Sequence, residues 1–329
     1  MEIGLNIRHQ NGATFEALRD EVLAAERLGF DVVHFPDHYL PTEHVTNPDG
    51  SPGLAAESSP FGPTDNWTLI AAIVPMTSTI RFGTRMTSST FRFPGPLAVS
   101  VAQINRMANG RIDLGLGTNW HEPEHLAFGV PYVGQGERFS RLEDQLNVIR
   151  GLWDTPVGQR FDYQGPFFTV KDGPGIPHPP QGKPRLVIGG SGLKRTPRLA
   201  ATFADEANAA SGRQPEGAVP FFSACDAACD KRGRDPKTLR RSVMITSVTC
   251  GEDDADIDRQ LAAAGMTREQ TTGRGFICRP PELLECLQEW EASGIDQVVI
   301  SRRGAVDPHS LQLIGEQVLP ALGKRPAKV

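Results

Sequence analysis

RFGTRMTSSTFRFPGPLAVSVAQINRMANGRIDLGLGTNWHEPEHLAFG, residues 81–129, decides how this chain is read, because it holds two strand signals, one helix and two polar strand ends. The run over 80–86 carries apolar residues and ends in Thr87, Ser88, Ser89 and Thr90, the pattern of a buried strand opening into a loop. Pro94 and Pro96 stand where a helix begins. Leu97, Ile104 and Met107 share one face of that helix, and Asn109-Gly110 stops it. A second strand over 111–117 follows at once, with no room for a hairpin. Strand, helix and strand joined by such short turns make a right-handed parallel βαβ unit. Ligands gather outside the carboxyl ends of strands in such units, which here means 87–90 and 118–122.

The same alternation continues outward in both directions. Strands are expected at 3–7, 32–35, 80–86, 112–117, 185–189, 206–209, 242–249 and 297–301, with helices over 15–28, 67–76, 137–153, 197–203, 217–232 and 281–293 between them. Phe139, Leu142, Leu146, Ile149 and Trp153 recur every three or four residues, the signature of one buried helix face. Eight βα steps in this order predict an α/β fold, a TIM (β/α)8 barrel, with a doubly wound open sheet as the competing arrangement. A length of 329 residues suits a single barrel domain over 1–329 with insertions. The insertions are expected at 41–65, rich in Pro, Gly, Ser and Asn, and at 154–183, where RFDYQGPFFTV reads as a short hairpin about Gln164-Gly165-Pro166. The first is either a substrate lid on the rim or a disordered loop.

A net charge of -5 with 22% charged residues argues against nucleic-acid or membrane-surface partners. No run of about 18 apolar residues occurs, and Met1-Glu2 leads directly into strand-like IGLNI, so a soluble, cytoplasmic protein is expected. Cys225, Cys229, Cys250, Cys278 and Cys286 are odd in number, which argues against a disulfide framework. Cys225 and Cys229 lie four apart on an expected helix. No matching Cys or His pair follows at zinc-site spacing, so they read as structural.

Several residues invite chemistry. Asp37-His38 closes the second strand signal, where the pair is placed for proton transfer or ligand hydrogen bonding, or for capping alone. If the pair is catalytic rather than capping, His38 is the residue expected to hydrogen-bond or exchange a proton, with Asp37 to orient it. His121-Glu122-Pro123-Glu124-His125 matches HExxH in form, but Pro123 disfavours helical geometry at Glu122 unless it opens a helix. No third ligand presents itself, and no metal is expected. Gly189-Gly190-Ser191-Gly192 follows a strand and precedes a helix with Lys194, Arg195 and Arg198, which suits a phosphate, although a tight turn alone would use the same glycines. It is neither a full P-loop nor a dinucleotide fingerprint. Trp120 and Phe91 are candidates to stack on a flat ring, and Arg274 in TTGRGF to reach an anion.

With these residues in view, the chain resembles the bacterial luciferase-like family of flavin or deazaflavin oxidoreductases, and within it the branch dependent on coenzyme F420. The resemblance rests on DHYLP, on TSSTFRFPGPLAVSVAQINRMANGRIDLGLGTNWHEPEHLAFG, on GERFSRLEDQLNVIRGLW and on PRLVIGGSGLKRTPRLAATFADEAN, and it covers nearly the whole chain. It implies a TIM barrel with an insertion, often homodimeric, holding the cofactor ring against the carboxyl ends of the strands. It also implies a non-prolyl cis peptide late in the third strand, here at Arg85-Met86. His38 then lies beside the ring, Thr87, Ser88, Asn119 and Trp120 border it, and Gly189, Gly190, Ser191 and Gly192 take the cofactor phosphate. Sugar-phosphate dehydrogenases of the family place a glutamate directly after the GxGT segment, where this chain has Asn119-Trp120, a departure that argues against glucose 6-phosphate.

F420 is favoured over FMN by the NWHEPEH segment and by a basic complement in which arginine far exceeds lysine, as GC-rich genomes favour. The activity this implies is hydride transfer between F420 and a small organic substrate such as an alcohol, imine or activated alkene. The alternatives are an FMN-dependent monooxygenase fed by a separate reductase, and a flavin-binding barrel without turnover. From the residues alone, a zinc hydrolase built on His121 and His125 is the remaining rival.

Overall fold

The computed structural model describes residues 1–42, 44–46, 52–54, 62–271, 275–302 and 307–325. Eight parallel strands close on themselves: β1 (Glu2–Asn6), β2 (Val32–Phe35), β3 (Arg81–Thr84), β4 (Ile112–Gly117), β5 (Arg185–Gly189), β6 (Glu206–Ser211), β7 (Arg240–Cys250) and β8 (Gln297–Arg302). Each pairs with the next, and β8 pairs back to β1 with Leu5 opposite Ile300. The open sheet is thereby excluded. Strands β2, β4 and β8 are buried along their whole length, as expected where helices cover the outside and side chains fill the inside.

Local chemistry sets the helices. Thr14 caps α1 (Phe15–Leu28) by accepting the amide of Ala17. Asp65 does the same for α2 (Asn66–Ile73) through Thr68. Pro94 opens α3 (Pro94–Met107), and the chain leaves it through left-handed Asn109 and Gly110, as the sequence predicts. Further along lie α4 (Glu122–Ala127), α5 (Gln135–Asp154) and α6 (Arg195–Phe203). The repeated face of α5 buries Leu142, Leu146, Ile149 and Trp153, each contributing about 1.5–3 kcal/mol of apolar burial. The Trp153 indole N–H also donates to the carbonyl of Ala98, tying α5 to α3.

Two strands depart from the simple pattern, and both departures face the same end of the barrel. The expected strand over 80–86 stops at Thr84, the Arg85-Met86 peptide is cis, and pairing with β4 resumes at Thr87–Ser88. In β7 the register slips between Ile245 and Val248, with Ser247 at φ 57.

A polar plug fills the barrel beneath that end. Arg85 donates to Glu206 Oε1 at 2.8 Å, to Ser242 Oγ at 3.2 Å and to Gln297, while Arg185 lies 3.3 Å from the other oxygen of Glu206. Burial opposes ionisation of Glu206, but the two guanidinium groups outweigh it and hold its carboxyl down at about 2.

The second insertion contains the expected hairpin, Arg160–Gln164 against Thr169–Pro174. Asp144 of α5 anchors its tip by accepting the amides of Phe167 and Phe168 at 2.8 and 2.7 Å. Most of 41–65 lies outside the described residues, and with it the question of a lid. All five cysteines are buried and unpaired, and burial pushes the Cys225 thiol up to about 12. Among the described residues no helix is long and apolar enough to cross a membrane.

Candidate active site

A cavity of about 640 Å³ opens at the carboxyl end of the barrel, within the range that holds small molecules and cofactors. Asp37, His38, Arg85, Met86, Thr87, Ser88, Asn119, Trp120 and Gly189 to Gly192 all line it, so candidate residues from four separate stretches of the chain converge on one space. Phe91 does not join them. It packs against Tyr39 and His125, at 5.4 and 4.8 Å between ring centroids, and faces a smaller neighbouring cleft. Arg274 lies outside the described residues.

The back wall is built from the cis peptide. Met86 fills the room that the strand glycines leave: a β-carbon on Gly189 would stand 2.2 Å from Met86 Cε, and one on Gly115 2.7 Å from its sulfur. The guanidinium of Arg85 is engaged in the plug below. Thr87 Oγ1 accepts the Trp67 indole N–H and donates to Thr84, while the Ser88 amide donates to Asp37. Asn119, left-handed at φ 55, accepts the amides of Trp120 and His121 and donates to Ser88 Oγ at 3.1 Å. Its side chain therefore folds the turn after β4. Beside it Trp120 is 53% exposed on the cavity wall, edge-on to His38 at 5.9 Å.

The expected pairing of Asp37 with His38 is corrected by the structure. The Asp37 carboxylate is buried and taken by Arg92, whose Nε and Nη2 donate at 3.0 and 2.7 Å, and by the Ser88 amide at 3.0 Å. The neighbour of His38 is instead Glu124 of α4, with His38 Nδ1 3.0 Å from Oε2. The sequence held this residue only as a letter inside HEPEH. Pro123 does open a short helix, yet His121 and His125 do not converge: His125 Nδ1 meets the His121 carbonyl, and its Nε2 meets Thr90 Oγ1. His121 lies 3.3 Å from Glu124 and is held below its usual imidazole range by burial.

Ligand-type atoms of His38, His121 and Glu124 thus fall within 4.8 Å of one another. Glu124 Oε1 already accepts the amides of Tyr39 and Leu40 and Oε2 meets His38 at hydrogen-bond length, whereas His121, 3.3 Å from Oε1, is buried with neither ring nitrogen hydrogen-bonded among the described residues. Burial alone would raise the Glu124 carboxyl, but the hydrogen bonds from His38 and from the Leu40 amide lower it.

Across the cavity, Gly189 ends β5 and the chain turns through Gly190, at φ 156, into α6. A β-carbon on Gly190 would reach to 3.0 Å from Thr196 Oγ1. That hydroxyl is buried and has no hydrogen-bond partner among the described residues. Of the basic residues beyond, Arg195 is engaged with the Gly136 carbonyl and Arg198 with both oxygens of Glu143. A turn with glycine at three of its four positions, a helix N-terminus and an orphaned hydroxyl fit a phosphate group. Thr196 was not singled out in the sequence, since a threonine after two basic residues carries no motif of its own.

The profile of the luciferase-like monooxygenase family matches residues 1–313. Among curated proteins, the chain is 28% identical over 334 residues to an F420-dependent glucose-6-phosphate dehydrogenase of Microbacterium testaceum (strain StLB037), covering 94% of each chain. It is likewise 28% identical to the protein of that name from Nakamurella multipartita, over 93% of this chain and 92% of the other. Among solved structures, an F420-dependent secondary alcohol dehydrogenase with an F420-acetone adduct superposes with a TM-score of 0.77 at 17% identity, covering 98% of both chains. A long-chain alkane monooxygenase superposes with a TM-score of 0.76 at 16% identity, over 98% of this chain and 91% of the other.

Proposed function

The chain belongs to the luciferase-like monooxygenase family, and on that premise we propose that it is an F420-dependent oxidoreductase transferring hydride between the deazaflavin and a small organic substrate. The observation that carries this reading is the pairing, in one cavity, of a phosphate-shaped glycine turn with a histidine held by a buried carboxylate. The curated relatives named as F420-dependent enzymes support the choice of cofactor.

When bound, a deazaflavin supplies a carbon that gives or accepts hydride. The protein supplies everything else. Gly189 to Gly192 and Thr196 would hold the phosphate, Met86 closes the back wall, and Trp120 lines the cavity beside His38. His38 stands on the wall to hydrogen-bond a substrate atom or exchange a proton with it. Glucose 6-phosphate is not the proposed substrate, because the residue after the GxGT segment is Asn119 and its amide is engaged in folding the turn. The homodimer that the family resemblance implies belongs to the same proposal, and exposed Val99 and Met107 on α3 with Met76 nearby supply apolar surface for it.

Titration of the purified protein with F420 and, separately, with FMN tests the reading through cofactor fluorescence. Tight F420 binding with weak FMN binding is expected. The reverse would make the protein an FMN-dependent monooxygenase and overturn the proposal.

A further inference from the structure

Glu124 is fully buried, whereas His38, which it touches, lines the cavity. The two carboxylate oxygens have different tasks. Oε1 accepts the backbone amides of Tyr39 at 2.9 Å and Leu40 at 3.0 Å, which fixes the carboxylate and the chain that carries His38 as one unit. Oε2 carries no backbone donor and is the nearer oxygen to the ring, 3.0 Å from Nδ1 against 3.2 Å for Oε1. An ionised carboxylate only accepts hydrogen bonds, so the nitrogen that faces it must carry the proton. In a neutral imidazole the other nitrogen is then bare. The ring of His38 makes its hydrogen bonds among the described residues at Nδ1 alone, and Nε2 belongs to the ring edge turned away from Glu124.

We propose that Glu124 is a positioning residue that holds His38 as its Nδ1–H tautomer, so that Nε2 meets a ligand O–H or N–H in the cavity as an acceptor. The functional meaning rests on reading that cavity as the active site; the tautomer itself does not. Asp37 cannot serve in this way, because Arg92 and Ser88 occupy its carboxylate. Asn119 cannot either, with its own oxygen on two amides of the turn.

The substitution Glu124→Gln inverts the arrangement for a stated reason. Two backbone donors require that the side-chain carbonyl oxygen stay at the Oε1 position, so the new NH2 group takes the Oε2 position and points a donor at Nδ1. Nδ1, 3.0 Å from that donor and 3.2 Å from the carbonyl oxygen with its two amides, then accepts, and the proton moves to Nε2. The full-length chain, labelled with 15N-histidine, reports the tautomer by NMR at alkaline pH, with His38→Asn assigning the signal. The expected result is Nδ1–H in the unsubstituted protein and Nε2–H in Glu124→Gln. An Nε2–H tautomer in the unsubstituted protein, or an unchanged tautomer in Glu124→Gln, overturns the proposal. If Glu124→Gln does not fold, the unsubstituted spectrum decides alone. The measurement needs neither cofactor nor substrate, so failure to bind F420 would refute the functional reading and leave this one standing.

Discussion

Gly190 and Thr196 face each other so closely that a β-carbon on the glycine would stand 3.0 Å from the threonine hydroxyl, and that hydroxyl is buried without a partner. Leaving such a group unsatisfied costs about 1–3 kcal/mol, and a phosphate oxygen would relieve the cost. Gly190→Val should therefore weaken F420 binding at least about tenfold, roughly 1.4 kcal/mol, by blocking the backbone approach. Thr196→Val removes the hydroxyl at nearly constant shape, so it should weaken binding while leaving the melting temperature equal or higher. Fluorescence titration alongside thermal melts checks both. An unaltered affinity in Thr196→Val would remove the hydroxyl from the site.

Arg92 is the knot of the catalytic rim. It donates twice to Asp37, once to Asn66 Oδ1 and once to Asp65, the residue that caps α2. Burial works against ionisation of Asp65, but Arg92 overrides it and keeps that carboxyl below its usual range. Arg92→Ala should cost about 3–5 kcal/mol, because it leaves the buried Asp37 charge uncompensated. Arg92→Lys should recover only part of this, since an ammonium cannot reproduce the forked contacts. Urea unfolding midpoints give the comparison, and a lysine variant as stable as the parent would contradict the geometric argument.

How much of this was readable from the residues follows their range of action. The βα repeat, the α3 boundaries, the hairpin about Gly165 and the glycine turn after β5 depend on neighbours in the chain, and each lies where its local pattern predicts. The partners of His38 do not. Sequence adjacency favoured Asp37, but successive residues at a strand end point in different directions, and the carboxylate that reaches His38 comes from α4, 86 residues away. Glu124 was visible only as part of an apparent metal motif, because a spacing of three residues from His121 is also what puts two side chains on one helical turn. Arg92 and Thr196 carry no local signal at all. Their meaning arises when the barrel closes.

Acid should expose the polar plug. The Glu206 carboxyl is held down at about 2 by Arg85 and Arg185, against a free value near 4.5. A depressed carboxyl contributes stability that is fully present above the unfolded value and is lost as pH falls through the folded one. Stability should thus decline between about pH 4.5 and 2, with this residue contributing about 3 kcal/mol to the loss. Glu206→Gln should be destabilised at neutral pH by a similar amount, with buried Arg85 left unpaired, and should show a flatter acid limb. Equilibrium unfolding measured across that range is the check, and parallel pH profiles for parent and variant would reject the assignment.

His38 and Asp37 stand side by side on the same wall, yet their contacts predict different failures. Asp37 is a structural ligand of Arg92, so Asp37→Asn should lower stability and disturb cofactor affinity with it. His38 contributes to no such framework beyond its bond to Glu124. His38→Ala should leave F420 affinity close to that of the parent and lower the melting temperature only modestly, since buried Glu124 keeps its two backbone donors, while turnover falls about 100-fold, the usual range for losing a proton-transfer group. Steady-state kinetics with whichever alcohol, imine or activated alkene the parent turns over, together with fluorescence titration of F420, separates the two effects. Undiminished turnover in His38→Ala would take the residue out of the reaction and leave Glu124 as the support of a binding wall alone.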